Sequence, residues 1–219
     1  MKFDLRFVDP GYELMILAEY LKLLEAETPE VIARGVDLIR RTEHDSDDEV
    51  NYSIVSHLEN RLEQGVMTRF LPASVVIASW AIYEAAVKEV SDWLSARKQI
   101  ASMDDRSLKL RGGLQKRARK YFKDHLHVEL HPKGTDWRRL ERLAELRHIL
   151  AHANGSLRDV RNKSDRERLR SWIMATPGLT VEDGYILVSL MFASDSLRFI
   201  DGLVRELVER VRVTFPLPG

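Results

Sequence analysis

The stretch from Phe70 to Leu94 constrains this chain more than any other. Its first half, Val75-Val76-Ile77-Ala78-Ser79-Trp80-Ala81-Ile82-Tyr83, is apolar nearly all round. A helix with that pattern has no face to offer water, so it belongs in the middle of a helical protein. Val87, Val90 and Trp93-Leu94 continue its buried side. Glu84 follows the apolar run directly. If covered it needs a partner; otherwise it simply reaches solvent. The run from Leu71 to Tyr83 is interrupted by Pro72, Ser74 and Ser79 and is too short to span a bilayer. The first residues, Met1-Lys2-Phe3-Asp4-Leu5-Arg6, lack the apolar core of a signal peptide. A cytoplasmic protein without a membrane partner is therefore expected.

Helical spacing governs the rest of the chain. Pro10-Gly11 opens a pattern of Leu14, Leu17, Ala18, Leu21 and Leu24. Thr28-Pro29 reads as a fresh helix start, with proline at the first helical position, leading to Val31, Ile32, Val36 and Ile39. Asp45-Ser46-Asp47-Asp48 marks a polar break before a third helix with Val50, Ile54, Leu58 and Leu62. Residues 104–124 predict a basic helix or pair of helices, interrupted at Gly112-Gly113. Gly134-Thr135-Asp136 caps a helix that Gly155 ends. A basic connection from Arg158 to Arg170 becomes helical towards Met174. Asp183-Gly184, between alternating Leu179–Glu182 and Tyr185–Val188, predicts a small β-hairpin. A last amphipathic helix runs from about Ser189 to Val213 and stops at Pro216 and Pro218. The class is all-α, a helical bundle with one hairpin before its last helix.

Charge is uneven although the formal net charge is zero. Residues 1–65 hold 15 Asp/Glu against 7 Lys/Arg, whereas residues 106–142 hold 12 Lys/Arg against 4 Asp/Glu. The domain organisation expected is an acidic N-terminal helical extension, 1–65, packed on a core, 66–219. The basic segment sets Lys116, Arg117, Arg119 and Lys120 around Tyr121 and Phe122. Cations with interleaved aromatics grip phosphates and stack bases, so these four are candidate RNA-binding residues. The competing reading is an amphipathic helix with Leu114, Ala118, Tyr121 and Phe122 turned inward.

Absence of cysteine removes disulfides, thiol catalysis and cysteine-ligated zinc. His125, His127 and His131, with His148 or His152, offer two pairs four residues apart. No carboxylate at ligand spacing stands out beside them, so a histidine-liganded metal enzyme is the least favoured reading, and no metal and no other cofactor is expected.

The sharpest functional pattern is Leu146-Arg147-His148-Ile149-Leu150-Ala151-His152-Ala153-Asn154-Gly155. At 100° per residue, Leu143, Leu146, Leu150 and Ala153 share one stripe, Arg147 sits at its flank, and His148 and His152 lie opposite, one turn apart. Arg147 and His152 are then about 140° apart, too far to converge on one phosphate. Either the last turn unwinds and swings His152 round, or a second copy of the helix supplies the missing partner across a two-fold axis. The residue types suit RNA cleavage by an internal 2′-hydroxyl. Histidine titrates near neutral pH and serves as the base, and a guanidinium fork holds the charge gathering on the phosphorus oxygens.

With Arg147, His148 and His152, the chain resembles the HEPN superfamily (higher eukaryotes and prokaryotes nucleotide-binding domains). Its members are compact α-helical bundles carrying Arg-x(4–6)-His, often as Arg-Asn-x-x-x-His-x-x-Gly. His148 stands here where that form has asparagine. The resemblance covers roughly residues 66–213, including Trp80-Ala81-Ile82-Tyr83-Glu84, the Asp-Gly hairpin and the last helix. It implies metal-independent endoribonuclease activity in a homodimer whose motifs meet at the interface. His152 would be the base or bind the scissile phosphate, Arg147 would stabilise charge, and His148 would orient or assist. Glu84 and Asn154 would support the site. Products would be a 2′,3′-cyclic phosphate and a 5′-hydroxyl. Such proteins act as toxins or in phage defence, sometimes with an antitoxin protein as partner. The alternative is a non-catalytic HEPN-like module that binds a nucleotide or a protein.

Overall fold

The computed structural model describes residues 6–43, 56–57, 65–131 and 137–216. Within them lie six α-helices and one hairpin: α1 (Val8–Glu43), α2 (Leu71–Lys98), α3 (Leu114–Tyr121), α4 (Trp137–His152), α5 (Lys163–Met174), β1 (Leu179–Glu182), β2 (Tyr185–Val188) and α6 (Leu190–Thr214). A π-helical turn, Gly65–Phe70, leads into α2, and another, Phe122–Leu126, follows α3. The polar break at residues 45–48 and the cap at residues 134–136 lie outside the described residues, as does the expected third helix around Val50, Ile54, Leu58 and Leu62 apart from Ser56 and His57, which are helical.

By packing, the chain divides into two units. One comprises Met1–Ile16, Ala78–Glu145 and Ser196–Gly219; the other comprises Leu17–Ile77 and Leu146–Asp195. Buried in the first are Val87, Leu94, Tyr121, Leu140, Ile200 and Val204. Buried in the second are Val75, Val76, Leu146, Ile173, Ile186 and Val188. As expected from its apolar coat, α2 supplies wholly covered residues to both. By length and composition α2 is apolar enough to cross a membrane, but half of its most apolar window is covered by the rest of the protein.

The helix start expected at Thr28-Pro29 does not exist. One helix, α1, runs through both positions. Pro29 lacks the N–H that would bond the carbonyl of Glu25, and its ring crowds that turn. Thr28 is buried, and its hydroxyl donates to the carbonyl of Leu24 one turn back. The packing that covers Thr28 holds the helix together where local chemistry would end it. Pro29→Ala should therefore stabilise the protein by about 1–3 kcal/mol, the order of a proline's cost inside a helix. Urea denaturation checks this: the midpoint should rise with an unchanged slope.

The hairpin follows the sequence closely. Leu179 pairs with Val188 and Val181 with Ile186. Asp183 and Gly184 both take positive φ, 50° and 85°, as a type I′ turn requires. The basic segment is shorter in helix than expected. Before Gly113 it forms only a 3₁₀ turn, Arg106–Leu108, closed by Lys109 in the left-handed region, and Gly112 also has positive φ. Helix α3 then starts at Leu114 with Gly113 as its cap.

Candidate active site

All of the Arg147–Gly155 stretch lies in the second unit. Leu146, Ile149 and Leu150 are buried, Arg147 is half-buried, and His148 and His152 are exposed. This is the distribution a single apolar stripe gives. The two imidazoles stand one turn apart with ring centroids 4.7 Å apart and planes at 53°. Helix α4 remains α-helical through His152, so the last turn does not unwind to bring His152 round to Arg147.

What stops the helix also fixes the site. The amides of Ala153 and Gly155 both bond the carbonyl of Ile149, at 2.9 and 3.1 Å. Asn154 and Gly155 take left-handed conformations with φ of 47° and 78°. The chain then lies beside the hairpin. Ile186 donates to the Gly155 carbonyl at 2.9 Å, Leu157 donates to the Gly184 carbonyl at 2.9 Å, and Ser156 bridges Tyr185. A Cβ on Gly155 would come within 3.3 Å of the Ile186 carbonyl oxygen. Gly155→Ala should thus cost about 1–2 kcal/mol from φ alone, more if the contact is not relieved. In a thermal melt this is a fall of several degrees.

One residue near the motif carried no signal in the sequence. Arg69, on the turn before α2, stacks its guanidinium over the Tyr185 ring with 3.9 Å to the centroid. Its Nη2 lies 3.5 Å from the carbonyl oxygen of Asn154. A second guanidinium therefore stands at the C-terminal end of the motif helix, in the same unit. No spacing rule links residue 69 to residues 154 and 185. Asn154 itself is exposed and meets Arg69 through its backbone carbonyl.

The remaining candidates belong to the first unit. Glu84 is half-buried on α2. Of the four basic candidates on α3, Arg117 pairs with Asp104 at 3.0 Å and Arg119 stacks over Trp137 at 4.4 Å. Hydrogen bonds from Lys88 and then Arg117 hold the Asp104 carboxyl below the usual carboxylate range. Lys116 and Lys120 are exposed. Tyr121 and Phe122 are fully buried, so neither is available to stack a base. The amphipathic reading of this helix is the one the fold adopts.

The histidines between residues 125 and 131 separate. His125 stacks on Tyr121 at 5.4 Å, His127 is exposed in a left-handed turn, and His131 is buried with its Nε2 2.7 Å from the Tyr83 hydroxyl. No helix carries His127 and His131 together. Among the described residues, no three His, Asp or Glu side chains gather closely enough to hold a metal.

No family model matches the chain, and neither a curated protein nor a solved structure is significantly similar to it.

Proposed function

We propose that this protein is a dimeric, metal-independent endoribonuclease of HEPN type, acting in the cytoplasm as a toxin or in phage defence. The observation that carries the reading is the pair of exposed imidazoles, His148 and His152, presented beside Arg147 on a helix end held by hydrogen bonds to the hairpin. Two copies facing each other across a two-fold axis would bring Arg147 of one to His152 of the other. His152 takes the proton from the 2′-hydroxyl as its oxygen attacks phosphorus. The P–O5′ bond breaks, leaving a 2′,3′-cyclic phosphate and a 5′-hydroxyl that picks up a proton. Arg147 meets the charge on the non-bridging oxygens with two parallel N–H donors. His148 orients the phosphate or assists proton transfer, and Arg69 adds positive potential at the same end. An antitoxin protein that masks the motif surface would be the partner of such a toxin.

Incubating purified protein with mixed RNA in EDTA, beside Arg147→Ala and His152→Ala, tests this. Cleavage by the wild type alone supports it. No cleavage by the wild type, or equal cleavage by all three, rejects it. A rise in melting temperature with nucleotides but no cut RNA would instead favour the non-catalytic binding module.

A further inference from the structure

Away from the histidine pair, the second unit holds a cleft of about 540 Å³ between the start of α5 and the hairpin. Arg158, Lys163, Arg166 and Arg170 line it, against Glu167 and Asp183. Lys163, Arg166 and Arg170 follow a spacing of three and four, so they share one face of α5 and spread over about 10 Å of helix. Glu167 stands 4.0 Å from Lys163. Arg166 and Arg170 have no ion-pair partner among the described residues, whereas Arg168 on another face pairs with Asp165 at 3.3 Å. Arg158 is held against the opposite wall. Its guanidinium donates to the Asp183 carbonyl at 3.0 Å, and a Cβ on Gly184 would strike its Nε at 2.9 Å. Glycine at 184 therefore leaves the room that this arginine occupies.

We infer that this cleft binds the phosphodiester backbone of a single RNA strand, as a docking site separate from the Arg147–His152 motif. Cations strung along a groove match an anion that repeats, whereas one lone carboxylate or phosphate would need a single converging pocket. Arginine forks without carboxylate partners suit phosphate oxygens. The cleft wall is also continuous with the motif: Arg158 is six residues beyond His152, at most about 20 Å of extended chain. A strand of a few nucleotides seated in the cleft would reach the histidines. The role as substrate dock rests on the ribonuclease reading; the binding itself does not.

The test uses fluorescence anisotropy with a labelled RNA of about twelve nucleotides, in EDTA. Full-length His152→Ala protein is compared with the same protein also carrying Arg166→Ala and Arg170→Ala. The cleft variant should bind about tenfold or more weakly at about 50 mM salt, and its slope of log affinity against log salt should be shallower by about 1.4, two lost phosphate contacts. Arg168→Ala should leave the slope unchanged. Circular dichroism should show equal helix in all three, since alanine favours an exposed helix face. Equal affinity and slope with and without the cleft arginines would overturn the inference. Displacement of the RNA by poly-glutamate or by inorganic phosphate at lower concentration than by unlabelled RNA would overturn it too. The two proposals fail separately. Wild-type protein that cuts no RNA, with binding still lost in the cleft variant, removes only the nuclease. Arg166→Ala/Arg170→Ala protein with His152 intact that cuts and binds like the wild type removes only the cleft.

Discussion

Replacing His152 with alanine should lower RNA cleavage by about 10²–10⁴-fold, the usual worth of a positioned general base. Arg147→Ala should cost about 10²–10³-fold, as loss of a donor aimed at developing charge does. His152 is exposed, so His152→Ala should melt close to the wild type, which separates lost chemistry from lost folding; Arg147 is half-buried with its Nε covered, so Arg147→Ala is read against its own melting curve. Arg147→Lys should recover only part of the rate, because an ammonium keeps the charge but not the fork. The 140° between the two positions on one helix demands more. If each site takes Arg147 from one copy and His152 from the other, mixing the two inactive variants makes heterodimers with one intact site. Activity should return to about a quarter of the wild type after subunit exchange. Activity in a strictly monomeric wild type, or no recovery in verified heterodimers, would show that the two groups do not act across an interface.

Stability should fall in mild acid because of His131. Burial, and then the positive charge of Arg210, push its imidazole down to about 4. It is 3% exposed, stacks between Tyr83 and Trp137, and shares a 2.7 Å hydrogen bond with the Tyr83 hydroxyl. Burial, with Glu84 beside it, raises the Tyr83 hydroxyl well above its ordinary range, so that partner stays neutral. In the unfolded chain the imidazole returns to about 6.5. Between about pH 6.5 and 4 the unfolded state thus binds a proton that the folded state refuses, and stability drops as pH falls. The slope approaches about 1.4 kcal/mol per pH unit and the total is about 3 kcal/mol. The loss is complete near pH 4 and absent above about 7. His131→Gln keeps a polar group for the Tyr83 hydroxyl but does not titrate. Its unfolding free energy should show a shallower decline over this window by that amount. An identical pH slope in wild type and variant would assign the acid sensitivity elsewhere.

Much of the architecture was legible in short stretches. The Asp183-Gly184 turn with alternation on both sides specified the hairpin, because the turn type dictates the register and the register dictates the faces. The 3.6-residue recurrence of leucines placed α4 and α6 and put Leu146 and Leu150 inward. The same rotation placed His148 and His152 in solvent without any tertiary information. The all-round apolar run from Val75 to Tyr83 announced a covered helix, and both ends of it are covered.

Other features depend on contacts between distant segments, which periodicity does not encode. Proline after a threonine is a sound local signal for a helix start, yet α1 passes through Thr28-Pro29 with Thr28 buried. A basic run around Tyr121 and Phe122 reads locally as an RNA grip, but the fold uses both rings as core. Arg69 meets Tyr185 and Asn154 across 85 residues or more, and the basic cleft joins one helix face to a hairpin turn.

Sequence by itself determined the apolar centre of α2, where the hairpin turns and which side of the motif helix faces water, because those follow from residues within two turns of one another. Tertiary structure alone decided which local signals were overruled, which aromatics were lost to the core and which cations were left without a carboxylate. Those outcomes depend on burial, and burial is fixed only when remote segments close over one another.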